Sequence, residues 1–259
     1  MIDISYSLAG AFTGLVVGLT GVGGGALMTP ILLLFFGISP TTAIATDLWF
    51  AAITKIIGAR VHHTQGNVDW QVTKRLWLGS LPMALVVVVL TSIGSPIAKV
   101  GWLTRAIGVA VLVTAVGLFA APKLVAFAKG KRIGQPEKFK SWQPVLTVIA
   151  GAILGLCVAM TSVGAGALGS VMLLYLYPLR MTPHRLVATD IVHAIPLAMV
   201  AGVGYLFAGM VDWHMLLSLL AGSIPAVIAG SLLAGKISGR WVRVALALVL
   251  AAAGLKVLL

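Results

Sequence analysis

Apolar runs follow one another along the whole chain, and the polar positions gather in the short breaks between them. Ten such runs can be read, at about residues 6–20, 26–36, 42–59, 76–91 and 102–121, then 145–160, 168–177, 186–207, 215–233 and 241–258. A helix crosses the hydrocarbon layer in roughly 20 residues at about 1.5 Å each. Runs 26–36 and 168–177 are too short for that, and they occupy corresponding places in the two halves of the chain. Each is preceded by a break rich in small residues. The stretch 14–40 holds seven glycines, four of them within 21–25. An interior glycine costs a helix about 1 kcal/mol relative to alanine, so the pattern predicts two half-helices joined by an unwound glycine turn. Unwound backbone at membrane depth survives only where protein or a water-filled cavity surrounds it. The turn is therefore expected to line a site.

The two halves repeat one another. Gly21-Val-Gly-Gly-Gly-Ala-Leu27 matches Ser162-Val-Gly-Ala-Gly-Ala-Leu168 at five of seven positions, 141 residues apart, and Thr20 matches Thr161. Further on the offset becomes 143. Pro40 then matches Pro183, Ala45-Thr46-Asp47 matches Ala188-Thr189-Asp190, and Gly66-Asn-Val-Asp-Trp70 matches Gly209-Met-Val-Asp-Trp213. Gly79-Ser-Leu-Pro82 matches Gly222-Ser-Ile-Pro225. Motifs kept in order and register mark a tandem duplication. Five segments per half is an odd number, which predicts that the second copy is inverted relative to the first.

Composition agrees with the pattern. Hydrophobic residues make up 60% of 259 positions and charged residues 9%, and the mean hydropathy is +1.09. Such a chain is neither a soluble domain nor disordered. The fold class expected is an all-α polytopic membrane protein of two inverted-topology repeats, with broken or re-entrant glycine-rich helices and 8–10 membrane segments. Residues 1–121 form the first transmembrane repeat, 122–143 a basic cytoplasmic linker, and 144–259 the second, inverted repeat. The opening MIDISYSLAG lacks a basic n-region, so no removed signal peptide is expected.

The net charge of +12 could suggest nucleic acid, but the basic residues lie between the apolar runs, where topology explains them better. With the N-terminus outside, 15 of the 18 lysines and arginines fall in inner loops, as the positive-inside rule favours. The expected location is the cell (inner) membrane, multi-pass, with both termini outside and the lipid bilayer as partner. No nucleic-acid partner is expected, and a homo-oligomer is compatible with the sequence without being required by it. The single cysteine, Cys157, excludes an internal disulfide and a cysteine-only metal site. No cofactor or metal is expected.

The pattern Gly14-x3-Gly18-x2-Gly21-Val-Gly-Gly-Gly25-x-Leu27-x2-Pro30, followed by Gly37-x2-Pro40-x2-Ala43-x2-Thr46, resembles the sulfite exporter TauE/SafE family. The degenerate second copy is similar too, and the resemblance runs over essentially the whole chain. It implies a multi-pass transporter of a small sulfur-containing or organic anion, such as sulfite or a sulfonate. Ser162 and Ala165 depart from the glycines of the first copy, so the two halves need not bind substrate equally.

Backbone amides at the start of a half-helix carry partial positive charge and unpaired donors, which suits an anion. Paired, interrupted short segments in the two halves of a transporter point to the substrate site. The expected substrate-binding residues are therefore Thr20, Gly21, Gly23, Gly24 and Gly25, together with Thr161, Ser162, Gly164 and Gly166. Gly14-x3-Gly18 and Gly151-x3-Gly155 are read as helix-packing patterns instead. Asp47 and Asp190 are intramembrane acids, with coupling to protons or another ion as their functional reading and a structural role as the plainer one. Thr46 and Thr189 accompany them. Two residues break the symmetry. Lys55 matches Ala198, and its plainer reading is a side chain snorkelling to the inner surface. His193 matches Phe50 and lies three residues after Asp190, on one helix face, where the pair could relay a proton. Asp69 and Asp212 read as turn acids, each beside an interfacial tryptophan.

The leading function is a secondary transporter using alternating access. An anion channel of the same architecture would need no alternating access. A membrane-embedded hydrolase with Ser162 as nucleophile and His193 as base lacks a nucleophile elbow, and glycine replaces Ser162 in the other half. An ATP-driven pump lacks the phosphate-binding Gly-x4-Gly-Lys-Ser/Thr stretch. The chain is not expected to be an enzyme.

Overall fold

The computed structural model describes residues 2–20, 25–62, 68–92, 100–134, 136–164, 166–233 and 239–259. Within them every one of the ten apolar runs is a helix: α1 Ile4–Thr20, α2 Gly25–Phe36, α3 Pro40–His62, α4 Trp70–Ser92, α5 Val100–Gly134, α6 Pro136–Thr161, α7 Ala167–Leu176, α8 Pro183–Phe207, α9 Trp213–Leu233 and α10 Gly239–Leu258. Six are long and apolar enough to cross a membrane, and four shorter apolar helices accompany them.

Two of the repeated motifs, the matched prolines and the matched Val-Asp-Trp stretches, mark helix starts. Pro183 opens α8 just after Thr182, whose hydroxyl accepts the Arg185 amide at 3.3 Å. Pro40 opens α3 in the same manner, with the Ser39 hydroxyl accepting the Thr42 amide at 3.4 Å. Proline suits this position because its missing N–H would have had no intrahelical acceptor, and the preceding hydroxyl satisfies an amide that would. Asp69 and Asp212 cap α4 and α9. Their Oδ1 atoms accept the amides of Val72 at 3.3 Å and Met215 at 2.9 Å. The turn-acid reading of both residues holds.

Residues 122–134 are the end of α5 and residues 136–143 the start of α6. Pro122 removes one amide but does not stop α5, because the residues beyond it, Lys-Leu-Val-Ala-Phe-Ala-Lys, favour helix and carry it on.

The halves interlock. α1 of the first half packs along α9 of the second, and α6 of the second packs along α4 of the first. α3 and α8 pack against each other at the centre, α5 packs on α10, and the short helices α2 and α7 lean on α10 and α5. Exchanging the halves maps each of these pairings onto another or onto itself. Glycine makes the α1–α9 and α4–α6 contacts possible. A Cβ at Gly14 would stand 2.6 Å from the Ser223 carbonyl oxygen, and one at Gly151 would stand 2.3 Å from that of Leu76. Backbone meets backbone there, so the packing reading of both glycine patterns is the right one. The outward faces carry exposed apolar side chains such as Phe12, Leu85, Val116, Phe207 and Leu232, as a lipid-facing surface requires.

Candidate functional site

The break between α6 and α7 is the part of the expected site that can be followed residue by residue. Ser162 follows the last residue of α6 with φ 58, a left-handed conformation rare outside glycine, and Gly164 and Gly166 have φ 125 and 118. For an L-residue this region costs roughly 1–2 kcal/mol, and the residue at the matching position 21 is glycine. Thr161 shapes the turn from within. Its hydroxyl donates to the Cys157 carbonyl at 2.6 Å and accepts the Val163 amide at 3.1 Å, so its proton is already placed. The chain then re-enters helix, with the Gly169 amide donating to the Gly164 carbonyl and the Ser170 amide to that of Gly166. The first amides of α7 have, by position, no intrahelical acceptor. Gly21, Gly23 and Gly24 lie outside the described residues. Thr20 and Gly25 are the last residue of α1 and the first of α2.

Next to this break lie two carboxylates at matched positions, treated differently. Asp47 on α3 is fully buried, and its Oδ2 accepts both the amide of Thr29 at 3.2 Å and its hydroxyl at 2.6 Å. Among the described residues its Oδ1 has no hydrogen-bond partner, and neither has the buried Ser162 hydroxyl. The two residues are neighbours, placed short of a well-formed hydrogen bond. Asp190 on α8 has instead an ion pair, its Oδ2 lying 3.2 Å from Lys55 Nζ with both side chains enclosed. Its Oδ1 lies close against α7, where a Cβ on Gly169 would stand only 3.0 Å away. Ser170, which matches Thr29, is buried, and its hydroxyl has no hydrogen-bond partner among the described residues.

Lys55 thus does not snorkel to a surface. It is 3% exposed and reaches across to the other half, because the carboxylate of α8 offers a stronger partner than a distant headgroup would. His193 shares a helix with Asp190, but its Nε2 lies 3.0 Å from the Ser80 hydroxyl on α4, and its carbonyl accepts the Trp77 indole N–H at 3.2 Å. Cys157 is half-buried.

Thr46 and Thr189 have a clear structural role. The Thr189 hydroxyl accepts the Asp69 amide at 3.0 Å, and the Thr46 hydroxyl accepts that of Asp212 at 3.2 Å. Each Ala-Thr-Asp motif therefore anchors the helix cap of the opposite half. The caps themselves differ. Asp69 also binds Arg180, at 2.7 Å from Nη2 to Oδ1, and Arg185. The positions matching these arginines are Gly37 and Thr42.

Thr29 and Ser170 were not picked out by the sequence reading. They carry hydroxyls at matched places in two otherwise apolar half-helices, and that coincidence is the signal that marks them.

The chain is similar to known membrane proteins over its whole length. The family described as "Sulfite exporter TauE/SafE" matches residues 6–257. "Probable membrane transporter protein YjnA" of Bacillus subtilis (strain 168) is 32% identical over 99% of this chain and 100% of its own length. "Probable membrane transporter protein YdhB" of the same organism is 27% identical over 84% of each chain. A "Probable membrane transporter protein" of Haemophilus influenzae is 28% identical over 61% of this chain and 58% of its own. No solved structure matches.

Proposed function

The chain belongs to the sulfite exporter TauE/SafE family of membrane transporters, and from that premise we propose that it is a secondary transporter, in the export direction, of a small sulfur-containing or organic anion such as sulfite or a sulfonate. The anion binds where the two glycine-rich breaks converge, at Thr20–Gly25 and Thr161–Gly166, against the starts of α2 and α7. Alternating access carries it across. Residues 1–121 and 144–259 are the two moving repeats, inverted relative to each other, and 122–143 joins them on the cytoplasmic side.

One observation carries this reading. The α6–α7 break holds a non-glycine residue, Ser162, in a left-handed conformation with its hydroxyl buried and, among the described residues, without a hydrogen-bond partner. A buried hydroxyl without a partner costs about 1–3 kcal/mol, and a strained residue that keeps one is expected where a ligand supplies the missing bond. The exchange symmetry of the helix pairs supports the inverted repeat.

A thermal-shift screen of the purified protein against sulfite, thiosulfate, sulfoacetate, isethionate, sulfate and simple carboxylates tests the substrate class. A ligand that binds the folded state alone stabilises it by RT ln(1+[L]/Kd), so one of the sulfur anions should raise the melting temperature and the carboxylates should not. Counterflow in proteoliposomes then tests the transport mode, since a channel shows no trans-stimulation.

A further inference from the structure

We infer that Asp47 is the residue that binds a coupling proton, with Thr29 and Ser162 as its partners; the coupling, though not the protonation itself, rests on the transporter reading above. The duplication places a carboxylate at residue 47 and another at residue 190, and the rest of the chain makes them unlike. Asp190 has a counter-ion, Lys55. Asp47 is equally buried, and among the described residues no cationic side chain pairs with it. An ionised carboxylate held there without a counter-charge is far more costly than a neutral one.

The hydrogen bonds leave one carboxyl oxygen open for the proton. Thr29 commits both its donors to Oδ2, which leaves Oδ1 to carry the proton, and the Ser162 hydroxyl beside it is an acceptor with no other partner among the described residues. The groups around Asp47 can be named. α2, α5, α8 and α9 pack on α3. α2 has no titratable residue. α8 brings Asp190, held by Lys55 of α3, and His193, held by Ser80. It also brings Tyr205, which donates to the Ala159 carbonyl, and at its N-terminal end His184 and Arg185. Arg105 and Lys123 of α5 and His214 of α9 are exposed.

The placement couples the two ligands. Ser162 belongs to the proposed anion site and neighbours the Asp47 carboxyl. An ionised Asp47 repels an anion at that distance, whereas a protonated one donates toward Ser162 and frees its hydroxyl proton for the anion. Each ligand therefore raises the affinity for the other, and anion and proton travel together.

Infrared difference spectroscopy of the purified full-length protein, titrated with acid, tests the protonation directly. The carbonyl band of a protonated carboxyl should appear in the wild type and in Asp190→Asn, shift in Ser162→Ala, and be missing from Asp47→Asn. Its persistence in Asp47→Asn, or its absence from the wild type, overturns the inference. Replacing choline with sodium should leave the titration unchanged; a band abolished by sodium at fixed pH makes this a sodium site and equally overturns it. Coupling is read with isethionate, a strong-acid anion that carries no proton of its own. Adding it to lightly buffered protein should draw protons from solution in the wild type and none in Asp47→Asn, and uptake that persists in Asp47→Asn contradicts the coupling. If isethionate neither shifts the melting temperature nor moves protons, the anion assignment fails, while the infrared band still decides the proton site.

Discussion

The Lys55 ammonium lies 3.2 Å from the Asp190 carboxylate, and both side chains are enclosed where α3 of the first half meets α8 of the second. Removing one partner of such a pair strands the other as an unpaired buried charge, at a cost of about 3–5 kcal/mol. Lys55→Met should therefore lower thermal stability sharply in detergent. Lys55→Met combined with Asp190→Asn, which removes both charges, should recover most of that loss. Equal losses for the single and double variants would mean that the pair contributes nothing through its charge.

Glycine at the interlocking contacts gives a second expectation. Gly14→Ala pushes a methyl group to within 2.6 Å of the Ser223 carbonyl oxygen, and overpacking of this kind costs about 1–3 kcal/mol. Gly151→Ala meets the Leu76 carbonyl in the matching α4–α6 contact and should cost a similar amount. Gly101→Ala has nothing within 4 Å and should be neutral or slightly stabilising, since alanine favours helix by up to about 1 kcal/mol. Thermal unfolding of the three variants checks the contrast. Anion affinity should survive in all of them, because none lies at the proposed site.

Much of this architecture was legible because it is local or repeated. The ten helices follow from run lengths, their starts from proline and aspartate at matched offsets, and the tight helix pairs from glycine spacing. The partners of the polar side chains were not legible. Whether a lone lysine near a helix end reaches outward or across depends on what the neighbouring helix presents, and Lys55 meets Asp190 from 135 positions away. His193 was readable as sharing a face with Asp190, but its ring turns to Ser80, which only the packing of α4 on α8 decides. Thr46 and Thr189 looked like companions of the acids beside them. Their hydroxyls serve the caps of the opposite half, a role created by the interlocking of the two repeats.

Orientation in the membrane is open to a labelling test. With both termini outside, a cysteine at Ser5 should react with an impermeant thiol reagent added to intact cells, in a Cys157→Ala background. A cysteine at Gly130, which has nothing within 4 Å to obstruct it, should react only after the cells are opened. Labelling at position 130 from outside would reverse the proposed topology.

The central claim, that the α6–α7 break holds the anion, is tested most directly by Ser162→Gly. Glycine is the residue found at the matching position of the first repeat, and it adopts φ 58 without strain. The substitution should leave stability unchanged or raise it by about 1 kcal/mol. It also removes a hydroxyl that has no hydrogen-bond partner among the described residues. A hydrogen bond to a charged group contributes about 1.5–3 kcal/mol, so titration calorimetry with the anion identified by thermal shift should show affinity at least about tenfold weaker in Ser162→Gly. Weaker binding by a protein as stable as the wild type is the result expected. Unchanged affinity in Ser162→Gly would contradict the account and place the anion elsewhere.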